Sequence, residues 1–355
     1  MGKIRWLQSS DMPFWDSFVE KHPHGTIYHL SSWKTLIERS FRHIKGHIAA
    51  LCADDSNEIL AGIPVYAIQS RFTGNRIVSI PFATLCDPLI SKADEMRQFL
   101  PFLIDLYTKN KALNIEIRTW KSSVLSSFES FGMSDFYYHH YLVLDRAEEV
   151  LMESFHKKAV RASIIRAERN NLQLGYAGDD SDLPVFFELF SQSRKRLGLP
   201  LIPFRYFEIL WEIFYPTGNL QILFAMHDGK AIAASMLLKY KEMVVIEYGF
   251  DQIQHRNLSP NHFLDWETVK LAKREGYKVL SFGRSSALNK GLMLYKQRWG
   301  TTVEPLSQFY YPLSFFSACE NKEASLRYRL FRGIAKRVPD SIFHLMSDFI
   351  YRHMG

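Results

Sequence analysis

A short segment near the end of the chain has the residue types and spacing to hold a negative charge. A strand predicted over Val279–Phe282 from its apolar residues leads directly into Gly283, Arg284 and Ser285. The helix predicted next carries Lys296 and Arg298. Glycine lets the backbone approach a ligand closely, and arginine binds an oxyanion through two hydrogen bonds. Because a lysine can stabilise the charge that develops on a carbonyl during acyl transfer, the segment predicts an anion site suited to that chemistry.

A second candidate anion site lies where a helix is predicted to begin, over Pro260–Glu275. Ser259 is of a type favoured at the N-cap position, and Pro260 is favoured at the first helical position. The free backbone N–H groups at such a helix start suit a phosphate or a carboxylate. Ser259 and Asn261 are therefore candidate donor-binding residues, and the alternative is a well-capped helix that binds nothing.

A basic helix is a third candidate. Within the predicted helix Glu148–Asn170, the segment Phe155–Arg169 has an apolar face, and cations lie around the rest of its surface (Lys157, Lys158, Arg161, Arg166 and Arg169, against Glu168 as the single acid of that segment). The cations are suited to an acceptor phosphate, with Lys157, Lys158 and Arg161 as the candidates. A solvated amphipathic helix without a ligand explains the pattern equally well.

The remaining residues predict neither a catalytic triad nor a metal site. Cys52, Cys86 and Cys319 are far apart and form no C-x-x-C pair, which favours buried thiols in a reducing cytoplasm. Asp87 and Glu247 stand in mostly apolar surroundings, where a carboxylate can acquire a raised pKa and serve as a base. No glycine-rich dinucleotide or P-loop motif is present, and no metal is expected.

The elements that must position these residues repeat along the 355-residue chain. Each half is predicted to run helix, helix, strand hairpin, strand, helix, strand, short helix, strand, which indicates a mixed α/β (α+β) fold. A hairpin turns at Asp228 and Gly229, and the short helix of the first half is expected over Val124–Phe131. With 47% hydrophobic residues, the length suits two domains, expected at residues 1–146 and 147–316, followed by a tail at 317–355.

The tail concentrates the basic character of the chain. The net charge is +7, and the segment from Asn321 onward contributes +4 of it, from seven basic and three acidic residues. The pattern over Leu326–Tyr351 predicts two amphipathic helices separated at Pro339. They suit either docking on an anionic membrane surface or packing against the body of the protein. A charge so localised argues against a broad nucleic-acid face, and no DNA partner is expected.

The amino terminus has no apolar signal region, and no uncharged apolar run reaches the roughly 18 residues of a membrane span. A cytoplasmic protein is therefore expected, with peripheral binding at the inner face of the membrane as a further expectation.

Several of these segments together resemble the FemAB-like branch of the GNAT acyltransferase superfamily. The matching segments are Trp33, Lys157–Asn171, Gly198-Leu-Pro200 with Phe204–Phe207, Asp228–Ala234, Leu258-Ser-Pro-Asn261 with Trp266-Glu267, and Phe282-Gly-Arg-Ser285 with Tyr295-Lys-Gln-Arg-Trp-Gly300. They span most of residues 30–313. The resemblance implies two tandem GNAT-like domains with mixed central sheets, followed here by the amphipathic helices.

The resemblance also implies an activity. An aromatic–lysine pair in the family stabilises the acyl-transfer transition state, a role that falls to Tyr295 and Lys296. Arg256–Asn261 stands where GNAT proteins carry their pyrophosphate loop, with Ser259 and Asn261 in place of its glycines. The donor is therefore undecided between acyl-CoA and aminoacyl-tRNA, and the latter makes tRNA a partner.

The expected function is an N-acyl or aminoacyl transferase acting on an amine of a cell-envelope glycan, peptidoglycan or lipid-linked polysaccharide precursor. Lys296, Arg284 and Tyr295 are the expected catalytic residues. The alternative is a non-catalytic double-GNAT module that binds a phosphorylated glycolipid at the membrane surface.

Overall fold

The structure, a computed structural model, describes residues 2–54, 58–319 and 332–354. The chain forms two compact units that interleave along the sequence. The first unit comprises residues 1–136, 305–330 and 344–355, and the second comprises residues 137–304 and 331–343. The domain boundaries expected after residues 146 and 316 stay a prediction, because compactness alone does not establish independent folding.

The strands of the described residues are β1 (Lys3–Trp6), β2 (Ile44–Cys52), β3 (Ile59–Ile68), β4 (Arg76–Val78), β5 (Ile115–Thr119), β6 (Gly132–Val143), β7 (Gln173–Tyr176), β8 (Leu220–His227), β9 (Lys230–Tyr240), β10 (Met243–Asp251), β11 (Val279–Ser286) and β12 (Thr302–Tyr311). The α-helices are α1 (Met12–Lys21), α2 (Ser31–Ser40), α3 (Ala93–Lys109), α4 (Glu148–Ser154), α5 (Ala162–Arg169), α6 (Leu183–Leu197), α7 (Phe204–Phe214), α8 (Pro260–Arg274), α9 (Lys290–Gln297), α10 (Leu313–Cys319) and α11 (Asp340–Tyr351). A π-helix spans Lys157–Arg161, and short 3-10 helices span Ser9–Asp11, Ile27–His29, Asp180–Asp182 and Ile253–Leu258.

In the first unit the strands lie in the order β1-β2-β3-β4-β5-β12. Neighbouring strands run antiparallel except β4 and β5, which are parallel. A parallel pair needs a crossover, and α3 provides it. Phe99 and Leu103 of α3 are fully buried one turn apart, in a core shared with Ile115, Ile117 and Phe309.

The second unit has the order β6-β11-β10-β9-β8-β7. Its parallel pair is β10 and β11, joined by α8, whose Leu264 and Val269 are fully buried. The series β2-β3-β4-α3-β5 of the first unit thus recurs as β8-β9-β10-α8-β11. The predicted repetition of element order, and with it the mixed α/β fold, is confirmed.

Most predicted elements agree with the structure to within a residue or two. The hairpin of β8 and β9 turns at Asp228 and Gly229, both with positive φ (50° and 73°), as the Asp-Gly pair requires.

Three local predictions are wrong. Val124–Phe131 forms consecutive turns and no helix, because buried Val124, Leu125 and Phe131 draw the segment into the first core. The helix predicted over Glu148–Asn170 is interrupted at Phe155, whose backbone is extended and whose ring is buried. The strand predicted to stop before Gly283 continues to Ser286, and β1 was not predicted.

The predicted tail is described only in part. Its second helix is present as α11, just after Pro339. Much of the first predicted helix, including Leu326, lies outside the described residues. No helix within the described ranges combines the length and apolar character needed to cross a bilayer.

Candidate active site

The candidate site begins where β10 and β11 part. The two strands pair in parallel over only three residues, Met243–Val245 with Val279–Ser281. Beyond them β10 has a bulge between Ile246 and Tyr248, and β11 has a register shift between Ser281 and Arg284. Gly283 lies in that shift with a φ of 70°, a conformation that side-chain-bearing residues adopt at a cost. The registered pairing of β10 with β11 therefore ends after Val245 and Ser281, just before Gly283 and Arg284.

Lys296 closes this corner from α9. Its Nζ donates hydrogen bonds to the carbonyl oxygens of Gly283 (3.2 Å) and Arg284 (3.0 Å). The residue is only 7% exposed. Burial lowers the pKa of Lys296 to about 7, an effect that the charge of Arg284 reinforces and that of Asp265 opposes. Near pH 7 this amine can therefore either carry a positive charge or exchange a proton.

The next residue, Tyr295, bonds to a buried carboxylate on α8. Its hydroxyl donates to Oδ2 of Asp265 at 2.5 Å. Burial raises the pKa of Asp265 to about 7, against the opposing hydrogen bond from Tyr295 and the charge of Lys296. Burial and the adjacent Asp265 also raise the pKa of Tyr295 well above its usual value. Lys296, Tyr295 and Asp265 form a small buried cluster, called here the site cluster.

Two histidines line the site cluster, and both are held neutral. Burial and, to a smaller extent, the positive charge of Lys296 lower the pKa of His140 to about 4. Burial and, to a smaller extent, the positive charge of Arg166 lower the pKa of His262 to about 4. The ring of His262 packs edge-on against Tyr295 at 5.1 Å. Neutral imidazoles keep further positive charge away from Lys296, which helps this amine retain its proton.

The other residues predicted at this site, Arg284, Ser285 and Arg298, differ in how far they are buried. Arg284 is exposed, and its guanidinium lies 4.9 Å from the ring centre of Tyr137. Ser285 is buried, and its Oγ has no hydrogen-bond partner among the described residues. Arg298 is exposed at the end of α9, where its carbonyl accepts from the backbone N–H of His156. Lys296 contacts the backbone of Arg284, so those two predicted residues are brought together.

The loop before α8 is arranged differently from the prediction. Ser259 occupies the N-cap position as expected, but it has a φ of 62° and its side chain makes no cap hydrogen bond. Asn261 is half-buried in the first turn. Arg256 is bound to the buried Asp251 through Nε at 2.8 Å, and Arg196 reaches the same carboxylate at 3.1 Å. The helix start is thus shaped by backbone conformation and by an arginine–aspartate cluster.

The predicted basic helix is partly the π-helix Lys157–Arg161. His156 caps it by accepting from the backbone N–H of Ala159, and Lys157 and Lys158 project as exposed side chains. Arg161 is half-buried, with an Nε that has no partner among the described residues. Neither lysine forms a hydrogen bond or ion pair with a described residue. The backbone bond from His156 to Arg298 joins this basic segment to the end of α9.

Of the two carboxylates predicted as alternative bases, Asp87 has a structural role. It is buried and accepts backbone N–H bonds from Trp120 (2.7 Å) and Ser122 (3.0 Å), so it holds a loop in place. Glu247 is half-buried at the bulge of β10. Among the described residues, no three His, Cys, Asp or Glu side chains are grouped so that they could hold a metal ion.

Asp265 is the site residue that sequence reasoning missed. Its signal was an acid inside an apolar run, between Leu264 and Trp266, on the helix face that also bears His262. An acid on the buried face of a helix requires a partner. The identity of that partner, Tyr295 from another helix, depends on tertiary structure.

The comparisons with known proteins concern the family of the second unit and the fold of the chain. Residues 154–297 match the family model of the acetyltransferase (GNAT) domain, a range that includes all three residues of the site cluster. No curated protein sequence matches the chain.

Three solved structures are similar in fold. That of FemX has a TM-score of 0.70 at 14% identity, and the match covers 89% of this chain and 100% of FemX. A tandem GNAT protein from the clavulanic acid biosynthesis pathway has a TM-score of 0.56 at 11% identity, covering 87% and 98%. L-PGS from Bacillus licheniformis has a TM-score of 0.51 at 13% identity, covering 78% and 86%. The expected resemblance to the FemAB-like branch is confirmed for the GNAT domain and for the tandem fold.

Proposed function

We propose that this chain, whose second unit contains a GNAT domain, transfers an acyl or aminoacyl group to an amine of a cell-envelope precursor. The observation that carries the proposal is the site cluster, which lies beside the point where the registered pairing of β10 and β11 ends. It combines a cation with a carboxylate and a hydroxyl, which are the groups that acyl transfer to nitrogen needs. The GNAT match supports an acyltransferase in general terms.

The cluster performs the reaction in two linked parts. The acceptor amine forms a C–N bond to the carbonyl carbon of the donor. The Lys296 ammonium stabilises the negative charge that develops on the carbonyl oxygen. The C–S or C–O bond to the leaving group then breaks. The proton that the nitrogen loses passes through the Tyr295 hydroxyl to Asp265 and is returned to the leaving group. A carboxyl with a pKa of about 7 can both accept and release that proton.

The donor is an acyl-CoA or an aminoacyl-tRNA. Both carry phosphates, at the far end of the pantetheine arm in acyl-CoA and beside the terminal ribose in aminoacyl-tRNA, so the start of α8, with Ser259 and Asn261, is the proposed phosphate contact. The arginine–aspartate cluster supports this placement, because Asp251 fixes Arg196 and Arg256 beside the same loop. Arg284, Ser285 and Arg298 are proposed to bind the donor or the developing charge at the other side of the site.

The acceptor is proposed to be a peptidoglycan, glycan or lipid-linked polysaccharide precursor that carries a phosphate. Exposed Lys157 and Lys158, with half-buried Arg161, suit that phosphate. The backbone N–H of His156, directly before these residues, donates to the carbonyl of Arg298 at the end of α9. This bond connects the proposed acceptor segment to the helix that bears Lys296. Such a substrate places the protein at the cytoplasmic face of the membrane, with the basic tail as a contact.

The test is product formation by the purified full-length chain, supplied with acyl-CoAs or aminoacyl-tRNAs and with amino sugars or peptide amines. Lys296→Ala is expected to lower kcat by about 10²-fold with little change in KM, because the lysine acts mainly on the transition state. Lys290→Ala is the matched control, since Lys290 is an exposed lysine of the same helix.

The outcomes separate enzyme from binding module. Unchanged turnover in Lys296→Ala would remove this residue from the mechanism. If no donor yields product while a phosphorylated glycolipid binds through Lys157 and Lys158, the non-catalytic alternative is correct.

A further inference from the structure

The last helix of the described residues, α11, has one buried face and one exposed apolar face. Ser347 and Tyr351 of α11 are 1% and 4% exposed, and Tyr351 stacks on Phe41 of the same unit. Leu345 and Phe349 stand four residues apart on another face and are 70% and 51% exposed. Packing within the first unit therefore accounts for the buried face alone.

A loop of the first unit extends the exposed face. Phe72, in the turn between β3 and β4, is 71% exposed, the highest value among the large apolar residues of the described chain. Its ring lies 5.3 Å from that of Phe349 and 4.7 Å from that of His353. Leu113, 51% exposed, covers Gly74 of the same turn, where an added Cβ would meet its Cδ1 at 2.3 Å. Phe72, Leu113, Leu345 and Phe349 are called here the apolar patch.

The apolar patch is built on a fixed frame. The His353 carbonyl accepts from Thr73 Oγ1 at 3.3 Å and from the Arg76 guanidinium at 3.2 Å. His353 Nδ1 also lies 3.3 Å from Ser70 Oγ, which in turn accepts from the backbone N–H of Phe72. These bonds join the turn to the end of α11, so Phe72 is held outward by a frame of hydrogen bonds.

Three exposed cations lie close in sequence to residues of the apolar patch. Arg71 precedes Phe72, Lys111 lies two residues before Leu113, and Arg352 follows Phe349 by three residues. All three side chains are exposed, and Asp348 is the exposed acid next to Phe349. Aromatic and aliphatic side chains within a basic rim have the chemistry that anionic lipid headgroups and the acyl chains beneath them recognise.

We propose that the apolar patch docks the first unit on an anionic lipid surface, with Phe72, Leu345 and Phe349 entering the headgroup region and Arg71, Lys111 and Arg352 binding lipid phosphates. This surface combines the end of the tail that the sequence suggested with the turn between β3 and β4, which the sequence did not suggest. A partner protein is the weaker fit, since the patch consists of few side chains and a stable protein interface has roughly 20 to 30 residues a side.

The experiment is sedimentation of the full-length protein with vesicles of phosphatidylcholine containing phosphatidylglycerol. The double variant Phe72→Ser, Phe349→Ser is expected to bind at least about tenfold more weakly, because two large apolar groups no longer leave water. Leu60→Ser is the matched control, as Leu60 is 48% exposed on β3 of the same unit, away from the patch residues in sequence.

A charge variant tests the basic rim separately. Arg71→Gln, Lys111→Gln, Arg352→Gln is expected to weaken binding to vesicles with phosphatidylglycerol and to leave the weak binding to pure phosphatidylcholine unchanged. High salt should remove the difference between this variant and the wild type. Lys21→Gln, an exposed lysine at the end of α1, is its control.

Three results would overturn the proposal: no vesicle binding by the wild type, equal binding by the double variant and Leu60→Ser, or self-association of the chain that the double variant abolishes. Vesicle binding requires neither donor nor acceptor, so its failure is distinct from failure of acyl transfer. Transfer to a soluble amine should be unaffected in the double variant.

Discussion

Lys296 and Asp265 share one buried environment, and this determines how the rate responds to pH. Burial lowers the pKa of the lysine to about 7 and raises that of the aspartic acid to about 7. In the proposed mechanism Asp265 must lose its proton to act as acceptor, so the rate rises with pH through that range. Lys296 must keep its proton to stabilise an anion, so the rate falls as pH rises further.

The wild type is therefore expected to show a narrow bell-shaped profile of kcat/KM centred near pH 7, whose two limbs belong to the pair as a whole. Asp265→Asn should remove the acid limb, and the residual rate of Lys296→Ala should lack the alkaline limb. Measurement of kcat/KM for the donor across pH checks both. A wild-type profile that is retained in Asp265→Asn would exclude this carboxyl as the proton acceptor.

His262 gives a stability prediction of defined sign. Its pKa falls from 6.5 in the unfolded chain to about 4 in the folded one, because burial disfavours the charged ring. Below pH 6.5 the unfolded state binds the extra proton, so stability is full above that pH and is lost as pH falls toward 4. His262→Gln should reduce this loss by about 2 kcal/mol, measured as the unfolding free energy at pH 7 and pH 5. His227→Gln, in the hairpin at the β8–β9 turn, is the control and should retain the wild-type loss.

At the residue scale the sequence was informative where charge stood out in its context. Lys296 and Arg284 could be proposed because each follows an apolar element at its polar end. Asp265 could not, since a single acid in an apolar helix has many possible partners and the relevant one, Tyr295, is 30 residues away. The contact does not follow from proximity along the chain. It depends on how α9 and α8 are placed within the folded second unit.

At the scale of elements, the conformation of Gly283 links the fold to the chemistry. Its positive φ turns the carbonyl that accepts from Lys296, and the nearest atom to an added Cβ is 3.6 Å away. Gly283→Ala therefore meets backbone strain without a clash. The expected cost is about 1 kcal/mol of stability, together with a lower kcat, because the strained strand displaces the Lys296 acceptors.

Gly276→Ala is the matched control for this change. Gly276 also has a positive φ (84°), and no atom lies within 4 Å of its added Cβ. The Gly276→Ala variant should lose a similar amount of stability, measured by its unfolding temperature, and should keep the turnover of the wild type. Equal turnover in both variants would show that the conformation of Gly283 is structural only.

The errors in predicted elements have a common physical cause. Apolar periodicity predicted one helix over Glu148–Asn170, but Phe155 gains more from packing against Trp266 and Trp299 than from staying helical. The same competition explains Val124–Phe131, where burial outweighs helix formation. Strong local signals, such as Asp228-Gly229, were predicted correctly because no tertiary contact opposes them.

At the scale of the whole molecule, the chain returns to its first unit after completing the second. β12 pairs with β5 over Ser307–Tyr311, and Phe309 of β12 is 3% exposed in the first core. Tyr311 packs against Tyr107 and Phe131 of the same unit. A strand distant in sequence thus supplies part of the first core, which the order of elements alone did not reveal.

A fragment of residues 1–146, the first domain as the sequence predicted it, should therefore fail to fold cooperatively. Without β12 the fragment lacks the Phe309 side chain that fills part of the first core, and β5 has unpaired backbone groups on one edge. The free energy of unfolding should fall by several kcal/mol, which is on the order of the stability of a whole domain. Fusing residues 302–319 to the fragment through a flexible linker should restore a cooperative transition in circular dichroism, whereas the same linker carrying Phe309→Ser should restore less. Cooperative unfolding of the bare fragment would instead show that β12 is an accessory to a self-sufficient first domain, and would favour the boundary at residue 146.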